Sequence, residues 1–167
     1  HLTDELEGLG AKINFGQKYE NITSDINVVI YTSAISKDNP EMTAARDKNI
    51  AMLTRAQLLG QVMKQYRLPV AVSGTHGKTT TTSMLSEILL HADLDPTLSI
   101  GGILESINGN FRVGGSDYFV TEACEYTNSF LSFFPKIAII LNIDADHLDF
   151  FKDINDIRHS FHKFAEL

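Results

Sequence analysis

Two glycines, a lysine and a run of threonines stand together at Gly74-Thr75-His76-Gly77-Lys78-Thr79-Thr80. An apolar run precedes them, and a helical stretch is expected to begin at Lys78. A glycine turn between a strand and a helix lets backbone N–H groups point at a phosphate, and the helix dipole adds attraction. Lys78 would then reach the outer phosphates of a nucleotide, and the Thr79 hydroxyl would bind Mg²⁺.

The spacing of this loop departs from the common form of the motif, which asks for a glycine five residues before Gly77. Val72 occupies that position. The alternative interpretation is a glycine turn that does no more than start a helix. The position at a strand–helix junction, with two glycines and several threonines, favours the phosphate loop.

Two further groups of polar residues follow apolar runs. Glu122 ends the run Tyr118-Phe119-Val120-Thr121, and Glu125 lies three residues later as a weaker candidate. Ligands bind at the carboxyl ends of strands in parallel sheets, and a glutamate there can hold Mg²⁺, although a solvated edge acid is an equal alternative. His147 stands among aspartates after residues 137–141, a pattern that suits a cation site. Cys124 lacks a partner histidine motif and is interpreted as a small packed thiol.

The elements that must position these residues form an α/β pattern, in which short apolar runs alternate with helical stretches. Helices are expected at residues 3–9, 40–48, 54–66, 78–91 and 153–166. Strands are expected at residues 11–15, 28–31, 50–53, 69–73, 97–101, 118–120 and 137–141. Asn108-Gly109 indicates a hairpin, and Pro69, with the new β-loop-α unit behind it, favours a domain boundary at about Leu68.

Bulk properties exclude several classes of protein. The 167 residues carry a net charge of −7, which argues against nucleic acid as a partner, and the apolar runs are too short to span a bilayer. One cysteine fits a reducing compartment, so a cytoplasmic protein is expected. Both ends lie within helical patterns, so we expect a fragment of a longer protein. The oligomeric state cannot be predicted.

The three groups of residues resemble, in order and spacing, the Mur ligases of peptidoglycan synthesis. The resemblance rests on the loop from Gly74 to Thr81, on Glu122-Ala123-Cys124-Glu125, and on the stretch from Asn142 to Asp149. Thr32-Ser33-Ala34-Ile35 and Asn39-Pro40-Glu41 also fit the first domain of that family. His76, where several sister enzymes carry Asn, resembles the members that add L-alanine to UDP-N-acetylmuramate.

The resemblance implies parts of two domains. Residues 1–68 would be the later part of a Rossmann-like UDP-sugar-binding domain, and residues 69–167 the front of a P-loop-type central ATPase domain with a mainly parallel sheet. ATP and Mg²⁺ would be the cofactors, and UDP-N-acetylmuramate and L-alanine the substrates, joined through an acyl phosphate. Adenine and amino-acid contacts would lie elsewhere, so this stretch alone is expected to be inactive.

The resemblance also implies roles for single residues. Lys78, Glu122 and His147 would be catalytic, and Thr79, Glu122 and His147 would hold the metal. The phosphates would contact residues of the loop from Gly74 to Thr80. Ser33, His76 and Glu125 are weaker candidates for substrate contacts. Two alternatives stay open: a ligase that recycles murein tripeptide onto UDP-N-acetylmuramate, and a module that binds nucleotide without ligation.

Overall fold

The computed structural model describes residues 2–167, which fall into two compact units that divide between Arg55 and Ala56. The first unit contains two helices, two strands and a short 3₁₀ turn at Tyr19–Asn21. In chain order the elements are α1 (Leu2–Gly8), β1 (Val28–Tyr31), α2 (Pro40–Asp47) and β2 (Ala51–Thr54). Among the described residues, none of the helices combines the length and the apolar character needed to cross a bilayer.

The β1–α2–β2 unit follows from local sequence signals. The Asn39 side chain accepts hydrogen bonds from the backbone N–H groups of Glu41 and Met42, and Pro40 occupies the first turn, as predicted for the start of α2. β1 and β2 pair in parallel, with Val28 opposite Ala51. The core of this unit consists of Ile22, Ala44, Ala45 and their apolar neighbours. The two alanines are small buried residues of α2.

The strand predicted at residues 11–15 is wrong, because this segment is irregular in the structure. Within residues 2–167, β1 and β2 pair with each other and form a sheet of two strands. A strand needs a neighbour to accept its backbone hydrogen bonds, and the segment is exposed, with Phe15 at 82% of its free surface. Gly16, in the left-handed region at φ +79°, turns the chain instead.

The second unit is a five-stranded sheet with helices on both faces. Its elements are α3 (Arg55–Met63, which starts at the last residue of the first unit), β3 (Leu68–Ser73), α4 (Lys78–His91), β4 (Thr97–Leu104), β5 (Gly109–Arg112), β6 (Tyr118–Glu122), β7 (Ile137–Ile140) and α5 (Ile154–Ala165). The strand order is β5-β4-β6-β3-β7. All neighbours pair in parallel except β4 and β5, which form the predicted hairpin with Asn108 in the left-handed conformation.

Alternation along the central strands supplies two separate cores. Val70 and Val120 face the side covered by α4, where Leu85 and Leu89 pack against them. Ala71 and Phe119 face the other side, which is covered by α3, α5 and a kinked 3₁₀ segment at Tyr126–Ser132. On that face Phe130 stacks on Phe164, and Ile157 and Phe161 of α5 are also buried.

Helix α3 belongs to the second unit by its packing. A Cβ added to Gly60 would lie 1.9 Å from the Ser132 carbonyl oxygen, so only glycine allows this approach. Met63 is fully buried in the core shared with α5. The compact units therefore divide at Arg55, whereas the predicted boundary between functional domains at about Leu68 stays a prediction.

The topology brings three loops to one edge of the sheet. β6 and β7 are the two neighbours of β3, and all three run in parallel. The loops that follow Ser73, Glu122 and Ile140 therefore meet at their carboxyl ends, where open α/β sheets bind ligands.

Candidate active site

The loop between β3 and α4 depends on two glycines with positive φ. Gly74 lies at φ +137°, and a Cβ there would approach the Leu141 Cβ to 3.0 Å. Gly77 lies at φ +84° and starts α4 from the left-handed region. Side-chain-bearing residues rarely adopt these conformations. The chain can therefore make its tight turn into the helix only with glycine at these positions.

Residues after β7 hold this loop in place. The His76 backbone N–H donates to Asn142 Oδ1 at 2.8 Å, and Asn142 Nδ2 donates to the His76 carbonyl at 2.9 Å. The Asp144 N–H donates to Thr75 Oγ1 at 2.9 Å. Sequence reasoning gave Asn142 no role, although an asparagine directly after a buried strand is placed to bind backbone on both sides through its amide.

Lys78 lies inside the loop and forms an ion pair with Glu125. Its Nζ donates to the Gly74 carbonyl at 2.6 Å, to the Thr75 carbonyl at 3.3 Å and to Glu125 Oε2 at 3.0 Å. The side chain of Lys78 is 15% exposed and that of Glu125 only 2%. Glu125, a weaker candidate from sequence, thus occupies the centre of the site.

Thr79 and Glu122 form a second pair beside the first. Thr79 Oγ1 donates to Glu122 Oε2 at 3.0 Å, and the Gly101 N–H donates to Glu122 Oε1 at 2.5 Å. Gly101 allows this approach, because a Cβ there would lie 2.6 Å from Glu122 Oε2. The sequence contained a signal for Gly101, since a glycine within a strand often marks a close approach of another group.

His147 joins the site from the loop after β7. Its Nε2 lies 3.9 Å from Glu125 Oε1, and its ring packs against Tyr126 with centroids 4.7 Å apart. The Tyr126 hydroxyl donates to Asp149 Oδ2 at 2.8 Å, and this hydrogen bond, aided by the Asp149 charge, raises the pKa of Tyr126. His147 also has φ +52°, and its carbonyl accepts from the N–H groups of Phe150 and Phe151. The backbone of His147 and its imidazole ring are therefore both held in place.

Cys124 lies between the two glutamates of this loop. Desolvation by the surrounding chain is the main cause that raises the pKa of its thiol, and the Glu125 charge adds to it. A thiol with a raised pKa is a poor nucleophile. Cys124 is nevertheless exposed, so the expectation of a packed thiol is wrong, whereas the raised pKa agrees with an unreactive thiol.

The structure brings most of the predicted site residues of the second unit to one place, in two subsets. Lys78, Glu125 and His147 form one subset, and Thr79 and Glu122 form the other. His76 and Thr80 are exposed at the mouth of the loop. Among residues 2–167, no three histidine, cysteine, aspartate or glutamate side chains are grouped as a metal site.

A separate groove lies in the first unit, between the end of β1 and the start of α2. Its volume is about 570 Å³, and it is lined by Gln17, Thr32, Ala34, Ile35, Ser36, Asp38, Asn39 and Pro40. Ser33, the predicted substrate contact, is exposed beside this groove but does not line it. Its neighbours Thr32 and Ala34 do.

Comparison with protein families matches nearly the whole chain. Residues 72–167 match the Mur ligase middle domain, and residues 1–67 match the catalytic domain of the Mur ligase family. The chain belongs to the Mur ligase family. The glycine loop from Gly74 to Thr80, both glutamates and His147 all lie in the part that matches the middle domain of these ligases.

Curated relatives narrow the resemblance within the Mur ligases. The chain is 63% identical over 164 residues to a UDP-N-acetylmuramate–L-alanine ligase of Agathobacter rectalis, covering 98% of this chain and 36% of that protein. It is 64% identical over 165 residues to a ligase of the same name from Lachnospira eligens, covering 99% of this chain and 36% of the relative. The chain thus spans about a third of the length of these relatives.

Solved structures of Mur ligases share the fold. The UDP-N-acetylmuramate–alanine ligase of Thermotoga maritima superimposes with a TM-score of 0.85 at 34% identity, covering 98% of this chain and 38% of that one. The UDP-N-acetylmuramate:L-alanyl-γ-D-glutamyl-meso-diaminopimelate ligase of Neisseria meningitides gives 0.87 at 27% identity, covering 98% and 56%. The α/β fold with a mainly parallel sheet is therefore confirmed, whereas the backbone alone does not separate these two kinds of ligase.

Proposed function

We propose that the complete protein is an ATP-dependent ligase that joins L-alanine to the carboxylate of UDP-N-acetylmuramate through an acyl phosphate, in peptidoglycan synthesis. The names of its relatives at 63% and 64% identity support this substrate pair. A cytoplasmic location, where ATP is available, is part of the proposal.

The observation that carries the proposal is the placing of Lys78 and Thr79 directly after the glycine turn that begins α4, with Glu122 bonded to Thr79. The Lys78 ammonium offsets negative charge on the outer phosphates, and the N–H groups at the start of α4 bind phosphate oxygens. Phosphoryl transfer asks a protein mainly for alignment and charge neutralisation. The loop backbone, held by Asn142, gives these groups a fixed position.

The pair of Thr79 and Glu122 fits Mg²⁺. Their side-chain oxygens lie 3.0 Å apart, and Mg²⁺ binds through one or two protein oxygens while phosphate oxygens and water complete its octahedron. When bound, the ion would neutralise charge developing on the phosphoryl group. His147 is proposed as a further ligand at the same mouth, where its Nε2 faces Glu125.

The two halves of the chain would divide the substrates between them. We propose that residues 1–68 contribute to binding the UDP-sugar, with the groove beside Ser33 as its site, and that residues 69–167 bind ATP. The exposed His76 and the buried Glu125 border the phosphate loop and are proposed to contact the substrate carboxylate or to order the groups that do.

One assay separates this function from its two alternatives. Phosphate release by the full-length protein is measured with ATP, Mg²⁺ and UDP-N-acetylmuramate, adding either L-alanine or the tripeptide L-alanyl-γ-D-glutamyl-meso-diaminopimelate. We expect release to require L-alanine. Release only with the tripeptide would identify a recycling ligase, and nucleotide binding with no release would identify a binding module. The recycling ligase is kept as an alternative because the chain resembles the solved tripeptide ligase of Neisseria meningitides.

A further inference from the structure

The ammonium group of Lys78 has no hydrogen-bond donor left for a phosphate in the conformation that the structure shows. An ammonium carries three N–H donors. One is taken by the Gly74 carbonyl at 2.6 Å, one by the Thr75 carbonyl at 3.3 Å and one by the Glu125 carboxylate at 3.0 Å. A nucleotide that uses Lys78 must therefore displace at least one of these partners.

The two carbonyl partners are held more firmly than the carboxylate. They belong to the turn whose next residues are fixed by Asn142 and Asp144, so their release would require the loop itself to move. Glu125 is a side chain with rotatable bonds, and its other oxygen, Oε1, lies 3.4 Å from Lys78 Nζ and 3.9 Å from His147 Nε2. The carboxylate is the partner that can leave without disturbing the backbone.

Electrostatics favour the same exchange. A phosphate brought to Lys78 would lie beside the Glu125 carboxylate, and two like charges in a site screened from water repel strongly. Glu125 is almost fully buried, so water does little to weaken this repulsion. Phosphate and Glu125 therefore compete for one ammonium group.

We propose that Glu125 is a positioning residue that acts as an exchangeable counter-ion of Lys78. While the site is empty, the Glu125 carboxylate forms the ion pair that keeps Lys78 in the loop. When the nucleotide phosphates bind Lys78, Glu125 releases it and turns toward His147. The ion pair with Lys78 forms again as the product nucleotide leaves. This inference rests on the proposed ATP-dependent function. It gives Glu125 a role in nucleotide exchange, distinct from the metal-binding role proposed for Glu122.

The exchange predicts an unusual pair of effects for Glu125→Gln. The amide keeps the size of the side chain but removes the competing charge, so Mg–ADP should bind about tenfold more tightly, as for other close charge pairs. The KM for ATP should fall with it. The kcat should also fall, by about threefold or more, because ADP leaves more slowly when no carboxylate re-forms the ion pair with Lys78.

The experiment uses the full-length protein and titrates Mg–ADP calorimetrically into the wild type, Glu125→Gln and Glu105→Gln. Glu105, in the exposed turn after β4, provides a control that loses the same charge elsewhere in the second unit. Steady-state phosphate release gives kcat and KM for each protein, and thermal melts verify folding. If Glu125→Gln does not fold, Glu125→Asp is used instead. Aspartate is one methylene group shorter, so its carboxylate lies farther from Lys78, and Mg–ADP should bind about threefold more tightly than to the wild type.

The possible results have distinct meanings. Tighter Mg–ADP binding with lower kcat and lower KM, in a folded variant, supports the exchange. Equal or weaker binding than wild type overturns it and leaves the proposed function intact, because a purely structural role would loosen the site. A wild type that binds no Mg–nucleotide overturns both.

Discussion

Replacing Gly101 by alanine should damage the site while leaving the fold almost unchanged. Gly101 lies in β4, beyond the part of that strand paired with β6, and its N–H donates to Glu122 Oε1. A Cβ at this position would lie 2.6 Å from Glu122 Oε2 and 2.9 Å from Oε1 and Cδ. The new methyl group therefore presses on the carboxylate that also binds Thr79.

The size of the effect follows from these distances. Ordinary contact with a Cβ begins at 3.4 Å, so the carboxylate must recede by about 0.8 Å. Glu122 is the end of a flexible side chain, and its retreat should change the free energy of unfolding by less than about 1 kcal/mol. A displacement of about 1 Å in a catalytic arrangement can cost about 100-fold in rate, or roughly 2.7 kcal/mol of activation free energy.

Gly109→Ala serves as the matched control, because its Cβ would meet backbone atoms at 3.8 and 4.0 Å, within ordinary contact. Both variants of the full-length protein are compared with wild type by L-alanine-dependent phosphate release at several Mg²⁺ concentrations and by thermal melting. We expect Gly101→Ala to lose 30- to 100-fold in kcat, as an order-of-magnitude figure, and Gly109→Ala to match wild type. Turnover by Gly101→Ala within about twofold of wild type, at unchanged Mg²⁺ dependence, would falsify the assignment of Glu122 as a metal ligand.

Three further outcomes are expected. Lys78→Ala should reduce turnover by at least about 1,000-fold, because the phosphates lose their only neighbouring lysine of the loop, and near-normal phosphate release would contradict the phosphate-loop assignment. Thr82 Oγ1 is buried in α4 with no partner among residues 2–167, so Thr82→Val should stabilise the protein by roughly 1 kcal/mol in denaturant unfolding; an unchanged or lower midpoint would contradict this. Removing Mg²⁺ with EDTA should weaken ADP binding at least about tenfold by calorimetry, and equal affinity would argue against a metal-dependent site.

The parts of the fold that the sequence predicted well are those with strong local signals. β3 and β7 are apolar runs, α2 has its Asn39 cap, and α4 begins where the glycine turn ends. The segment at 11–15 alternates apolar and polar residues, which also suits a strand, but whether it becomes one depends on a neighbour supplied by tertiary structure. Local pattern cannot reveal that, and here the prediction was wrong.

The candidate site shows the same division. Lys78, Glu122 and His147 could be placed near each other because each follows or adjoins a strand of a parallel sheet. The central position of Glu125 could not, because it depends on the backbone path after β6, where Thr127 and Asn128 both adopt left-handed conformations. Neither residue is a glycine that would announce such a turn. The direction of the Glu125 side chain therefore depends on the folded backbone and could not be predicted from the local sequence.

The charges of the site explain why a cation should be needed there at all. Adjacent residues of α4 point in directions about 100° apart, so Lys78 and Thr79 engage two different carboxylates of one loop, Glu125 and Glu122. The site thus holds one ammonium group and two carboxylates, in a chain whose net charge is −7. We therefore expect such a site to bind free ATP poorly unless a divalent ion lies between Glu122 and the phosphates. Under the proposed function, the same two carboxylates would weaken binding of the bare nucleotide and make binding conditional on Mg²⁺, which would couple nucleotide recognition to the ion proposed for phosphoryl transfer.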